Sequence, residues 1–154
     1  MLCRVLISSC IGQYSVLTAF VNPGDEVIMF EPFFDQYLPS VVFNGGKCVY
    51  VPLHPDPTKP KPTSDDWKLD FDELRYVWAI RIRSLSHLLL SLSAAITPRT
   101  KIIMLNTPHN PVGKVFSRAE MEKIAALAEE FNLLVVSDEV VSQALRLFHK
   151  SPGS

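Results

Sequence analysis

KIIMLNTPHNPVGKVFSRAEMEKIAALAEEFNLLVVSDEV, Lys101 to Val140, is the stretch whose reading decides the fold. Lys101–Asn106 is short and apolar, which predicts a buried strand. Thr107–Gly113 is a loop, in which two prolines fix φ and Gly113 permits a conformation closed to other residues. Ser117 is an N-cap candidate, and Glu120 three residues later closes a capping box. Met121, Ile124, Ala125, Ala128 and Phe131 then recur at helical spacing and make one apolar face. Asn132 stops that helix, and Leu133–Val136 predicts another buried strand that ends at Ser137-Asp138-Glu139. Strand, loop, helix and strand in this order imply a right-handed crossover in a parallel sheet. The expected class is α/β, a three-layer αβα architecture with a mostly parallel sheet. In such sheets chemistry gathers beyond the carboxyl ends of the strands, where Asn106–Asn110 and Asp138 stand.

Working outward, Val27–Phe30 is an apolar run between Pro23-Gly24-Asp25-Glu26 and Pro32, suited to a buried strand. Cys48–Leu53 is a further strand candidate, opened by Asn44-Gly45-Gly46. Phe33–Phe43 between them reads as helical, with Pro39 expected to kink or split it. His54–Asp66 holds four of the chain's twelve prolines and reads as an extended surface loop.

The 154 residues allow one domain, and 47% hydrophobic against 20% charged side chains excludes wholesale disorder. Fifteen basic and sixteen acidic residues leave a net charge of −1, so no basic block favours nucleic acid or anionic lipid. Neither nucleic acid nor membrane is therefore expected as a partner. Cys3, Cys10 and Cys48 form no CxxC pair and lie away from histidines at ligand spacing. No metal site is expected, and their odd number speaks against a disulfide scaffold. A reducing, cytoplasmic setting follows, with a mitochondrial one as the alternative. The apolar start MLCRVLISSCI is broken by Ser8, Ser9 and Cys10 and has no cleavage-like site, so no signal peptide is expected. Leu85–Ile96 is too short to span a bilayer.

Taken singly, the strand-end residues are ambiguous. A buried Asp138 reads equally as a structural acceptor or a functional acid. TPHNPVGK, Thr107–Lys114, reads as a structural crossover as readily as a site, and His109 alone reads as a solvated loop histidine. The combination is specific. PGDEVIMFEPFFDQY (Pro23–Tyr37), NGGKCVYVPL (Asn44–Leu53), SDDWKLDFDEL (Ser64–Leu74), KIIMLNTPHNPVGKVFSRAE (Lys101–Glu120) and SDEV (Ser137–Val140), in this order, resemble the kynurenine aminotransferases. These are pyridoxal-phosphate-dependent class I/II aminotransferases of fold type I. The resemblance covers Gly12–Arg75 and Ala94–Val140.

The resemblance implies a partial large, cofactor-binding domain that takes pyridoxal 5′-phosphate. On matching positions, Phe34 would stack on the pyridine ring, with Phe33 a core aromatic beside it. Asn110 would donate to the phenolate oxygen, since an amide donates without adding charge. Asp138 would pair with the pyridinium nitrogen and keep the ring an electron sink. The implied reaction moves an amino group between an amino acid and a 2-oxo acid, in an enzyme family that forms homodimers. The same family often performs β-elimination on cysteine S-conjugates. Dimerisation of this chain by itself stays open.

The chain also departs from the family. The Schiff-base lysine belongs to a downstream S-x-G-K segment, and Lys114, Lys123 and Lys150 lack that context, so no catalytic residue is assigned. The downstream substrate-gripping arginine is missing, Val141 replaces a tyrosine, and Ser8-Ser9-Cys10-Ile11 stands where a phosphate-holding G-A-N stretch belongs. The expectation is therefore an internal piece of the domain without activity of its own, and poorly soluble where sheet edges lack neighbours. A nucleotide-binding reading is set aside, because neither G-x-G-x-x-G nor G-x-x-x-x-G-K-[ST] occurs.

Tyr76–Ser93 interrupts the family pattern, and its removal leaves ELRAAITPRTK, a natural helix-to-strand connection. Two origins stand: a genuine surface helix with leucines against the fold, or a translated intron, to which the tail from Val141 to Ser154 would be a second read-through. The intron reading predicts an AGG codon for Arg75, where AGGTATGT gives a splice donor, and an AGY codon for Ser93. Genomic sequencing checks both, and a CGN codon at Arg75 or TCN at Ser93 contradicts it.

Overall fold

The computed structural model describes residues 10–75 and 96–140. The atypical stretches 76–93 and 141–154, and the first nine residues, lie outside the described residues. The elements are α1 (Cys10–Phe20), β1 (Glu26–Glu31), α2 (Tyr37–Phe43), β2 (Lys47–Pro55), β3 (Trp67–Leu69), α3 (Phe71–Arg75), β4 (Thr100–Asn106), α4 (Arg118–Glu130) and β5 (Leu134–Asp138). The five strands form a sheet of order β3-β2-β1-β4-β5. All neighbours are parallel except β2 and β3, which pair antiparallel through Leu53 and Leu69.

Strand residues alternate between two cores, as the period of two requires. Val27 and Met29 of β1, Ile102 and Met104 of β4 and Val136 of β5 pack with Leu17 and Val21 near α1 and with Tyr37 and Val41 of α2. Ile28, Phe30, Ile103, Leu105 and Val135 point the other way, onto Ile124, Leu127 and Ala128 of α4 and Leu74 of α3. Both faces are covered, which is why β1 and β4 read as unbroken apolar runs. The three-layer parallel architecture expected from the sequence is therefore present.

Helix α4 has the boundaries its sequence encodes. The Ser117 hydroxyl accepts from the Glu120 N–H, and the Glu120 carboxylate accepts from the Ser117 N–H at 2.8 Å. At the other end Asn132 takes the left-handed conformation, φ 52°, and Leu133 N–H donates to the Ala128 carbonyl at 2.8 Å. That is the Schellman closure of a helix. Leu127, outside the predicted apolar set, joins the buried face.

Three local expectations are corrected. The helix after β1 starts at Tyr37 rather than Phe33, so Pro39 falls in its first turn, where no N–H is needed, and neither kinks nor splits it. His54 and Pro55 belong to β2 rather than to a loop. Phe33 is half-buried rather than core, stacked on Tyr50 with ring centroids 5.4 Å apart.

The turn into β2 depends on its paired glycines. Gly45 has φ +75°, and a Cβ on Gly46 would stand 2.7 Å from Val21 Cγ1 and 2.9 Å from Val41 Cγ1. Both neighbours are stiff β-branched side chains that cannot swing aside. Gly46→Ala is expected to destabilise the fold by about 1–3 kcal/mol, as an overpacked core position does. Urea unfolding of the two proteins checks it, and an unchanged midpoint contradicts it.

Candidate functional site

Asp138 is the last residue of β5 and Asn106, opposite it in the parallel register, the last of β4. The Asn106 side-chain N–H and the Thr107 backbone N–H both donate to the Asp138 backbone carbonyl, at 3.0 and 3.1 Å. These bonds lock the two strand ends together. The other end of the Asn106 amide is also engaged, since its Oδ1 accepts the backbone N–H of Asn110 at 2.6 Å. Asn110 itself is exposed, on the loop leaving β4.

The Asp138 side chain is buried and its Oδ2 accepts two short hydrogen bonds. One comes from Gln13 Nε2 of α1 at 2.6 Å, the other from the Tyr37 hydroxyl at the start of α2 at 2.7 Å. Oδ1 accepts the Val140 N–H at 3.2 Å. Tyr37 in turn meets Phe34 edge to face, ring centroids 5.7 Å apart at 83°, and its N–H donates to the Phe34 carbonyl. Phe34, Asn110 and Asp138 thus come from three separate segments and lie along one connected set of contacts at the carboxyl ends of β1, β4 and β5.

The loops themselves are tied by His109. Far from being solvated, it is 3% exposed. Its Nε2 lies 2.7 Å from the Pro32 carbonyl and its Nδ1 3.3 Å from the Asn106 carbonyl. Both partners are carbonyls, which only accept, so the ring nitrogen that carries a proton donates to its carbonyl. The sequence gives no sign of this burial, because Pro32 lies 77 residues away. His109 joins the loop that carries Phe34 to the loop that carries Asn110.

Lys114 closes the same crossover. Its buried ammonium pairs with Glu120 at 2.8 Å and sits 4.9 Å from the centre of the Phe116 ring. Burial raises the Glu120 proton affinity, but hydrogen bonds from Lys114 and from Ser117 outweigh it and hold the carboxyl below its ordinary value of 4.5. Burial pushes the Cys48 thiol up from 9.0, with a hydrogen bond from Tyr50 opposing. Among the described residues no cluster of His, Cys, Asp and Glu could hold a metal ion. No described helix is long and apolar enough to cross a membrane.

Sequence reasoning gave no role to Gln13 or Tyr37, placed Asn106 only at a strand end and read His109 as solvated. Tyr37 ends the EPFFDQY motif and Asn106 opens NTPHNP, so both carried a signal. Gln13 carried none.

A three-layer α/β fold with a mostly parallel sheet brings a buried carboxylate, an aromatic and an exposed amide to its carboxyl edge, where ligand sites of such sheets lie. Comparison with known proteins makes this specific. Residues 3–142 match the family "Aminotransferase class I and II". The probable kynurenine–oxoglutarate transaminase BNA3 of Saccharomyces cerevisiae is 39% identical over 84% of this chain and 26% of its own length. Kynurenine–oxoglutarate transaminase 1 of Rattus norvegicus is 42% identical over 90% of this chain and 30% of its length. The crystal structure of Bna3p from Saccharomyces cerevisiae superposes with a TM-score of 0.71 and 38% identity, over 85% of this chain and 27% of that one. The chain belongs to the class I and II aminotransferases, and it spans between a quarter and a third of the length of these relatives.

Ionised Glu120 is bound more tightly in the folded chain than in the unfolded one. Its contribution is complete above the ordinary carboxylate value of 4.5 and fades as pH falls through the lower folded value. The difference in urea midpoint between wild type and Glu120→Gln is expected to be largest near pH 7 and to close as pH falls below the folded value. A difference that persists unchanged at acid pH contradicts it.

Proposed function

We propose that this chain forms the central part of the cofactor-binding domain of a pyridoxal-phosphate-dependent aminotransferase. The whole enzyme would move an amino group from kynurenine, or a similar amino acid, to a 2-oxo acid, and would work as a homodimer. The observation that carries this reading is the Asp138 carboxylate, buried at a strand end and held on one oxygen by two neutral donors. A buried carboxylate with no cationic side chain bonded to it among the described residues suits a partner that brings its own positive N–H. The donor set therefore fits the cofactor.

Bound pyridoxal phosphate would supply an electron sink for the charge left when a substrate Cα–H is lost. The chain's own residues do the holding. Asp138 would keep a proton on the ring nitrogen, Phe34 would cover one face of the ring, and Asn110 would donate to the phenolate oxygen. Tyr37 fixes Phe34 by its edge-on contact, and His109 fixes the two loops relative to each other. The covalent lysine, the phosphate-holding G-A-N stretch and the substrate-binding arginine of the family have no counterpart among this chain's residues. The 154-residue polypeptide alone is therefore expected to be inactive. The second reading is a non-catalytic product that binds at most a full-length partner. Co-purification with full-length enzyme supports that second reading.

A cofactor analogue without the reactive aldehyde, 4′-deoxypyridoxine 5′-phosphate, tests the site without needing the lysine. The wild-type chain is expected to bind it saturably, and Asp138→Asn to weaken binding about 10-fold or more, the loss of one charge-assisted hydrogen bond. Absence of saturable binding contradicts the cofactor-site reading. In a transaminase assay with kynurenine and 2-oxoglutarate, turnover above that of free pyridoxal phosphate would overturn the expected inactivity.

A further inference from the structure

We infer that Gln13 and Tyr37 form a two-donor clamp that turns Asp138 so that Oδ1, and not Oδ2, meets the cofactor's ring N–H. The inference deepens the proposed function and rests on it. Three observations carry it. First, the two oxygens of Asp138 are unequal. Oδ2 takes two short bonds, 2.6 and 2.7 Å, from side chains on two different helices, while Oδ1 takes one longer bond, 3.2 Å, from the Val140 N–H. A carboxylate oxygen has two good acceptor directions, so Oδ2 is filled and Oδ1 keeps capacity.

Second, Gln13 holds its place at a cost. It is 5% exposed, and its Oε1 is buried with no hydrogen-bond partner among the described residues. A buried acceptor without a donor opposes folding. A leucine or methionine at that point of α1 would avoid the penalty, so packing does not explain a glutamine there. Its one bonded atom, Nε2, points at Asp138, which identifies what the residue serves.

Third, the clamp is mechanically joined to the ring-stacking candidate. Tyr37 touches Asp138 with its hydroxyl, Phe34 with its ring and the Phe34 carbonyl with its N–H. A displacement of the carboxylate is therefore transmitted to Phe34. Gln13 and Tyr37 are positioning residues: neither is assigned to touch the reacting atoms, and both act through Asp138.

The test reads the protonation of the ring nitrogen rather than turnover. The full chain is titrated with pH in complex with 4′-deoxypyridoxine 5′-phosphate labelled with nitrogen-15 in the ring, followed by its NMR shift. The wild-type complex is expected to keep its ring nitrogen protonated to higher pH than the free probe. Tyr37→Phe, which keeps the aromatic ring, and Gln13→Met, which keeps the length, are each expected to move that titration toward the free probe. Each should also weaken binding about 3–10-fold, the loss of one hydrogen bond to a charged group. Far-UV circular dichroism confirms that each variant is folded, and two independent variants keep the test open if one is not. Variants that bind and titrate as wild type overturn the clamp and leave the cofactor site standing. A wild-type chain that fails to bind the probe, or leaves its nitrogen titrating as when free, overturns the site and the clamp with it.

Discussion

Burial of the central strands on both faces is the constraint on which the rest of the structure depends. β1 and β4 have no solvated side, so each needs a helical layer above and below. Parallel pairing demands long crossovers, and those crossovers are the helices that supply the layers. Once the layers are in place, only the strand ends are left for polar chemistry. Glu31, Asn106 and Asp138 end β1, β4 and β5, and the loops that follow these ends are the ones that carry Phe34 and Asn110.

The loops are held by polar bonds instead of apolar area. Asn106 bonds forward to Asn110 and sideways to Asp138, His109 bonds across to Pro32, and Lys114 bonds onward to Glu120. Asn106, His109 and Lys114 are all buried, and each has its partner. In a low-dielectric interior a satisfied polar network is rigid and a broken one is expensive. The crossover from β4 to α4 is thus fixed at several points along its length, which is what a site built on a loop requires if it is to hold a planar ligand in one orientation.

Much of this was legible from the residues. The Lys101–Val140 stretch carries a strand, a capping box, a periodic helix face and a left-handed stop at Asn132, and the structure has all four. Local rules act within a few residues, and the sequence states them openly. The errors have a common cause. His109 looked solvated because its burial depends on Pro32, and Phe33 looked buried although its neighbour Tyr50 leaves it half open. Phe34, Asn110 and Asp138 were singled out as candidates through motif resemblance, and the last two also by strand-end position. Gln13 was not, since its importance lies in a partner 125 residues away.

Gln13 also shows where stability and placement diverge. Asp138 is a charge removed from water, and an isolated buried carboxylate would be far too costly to keep. Two donors on Oδ2 compensate it, and they come from the helices that cover one face of the sheet. Those helices are thereby anchored at the carboxyl edge as well as through Leu17, Val21 and Val41 in the core. The same bonds that make the charge tolerable also orient it, so folding of the α1–α2 layer and preparation of the carboxylate are one event. The Gln13 oxygen, without a partner among the described residues, is the part of this arrangement that packing alone would have removed.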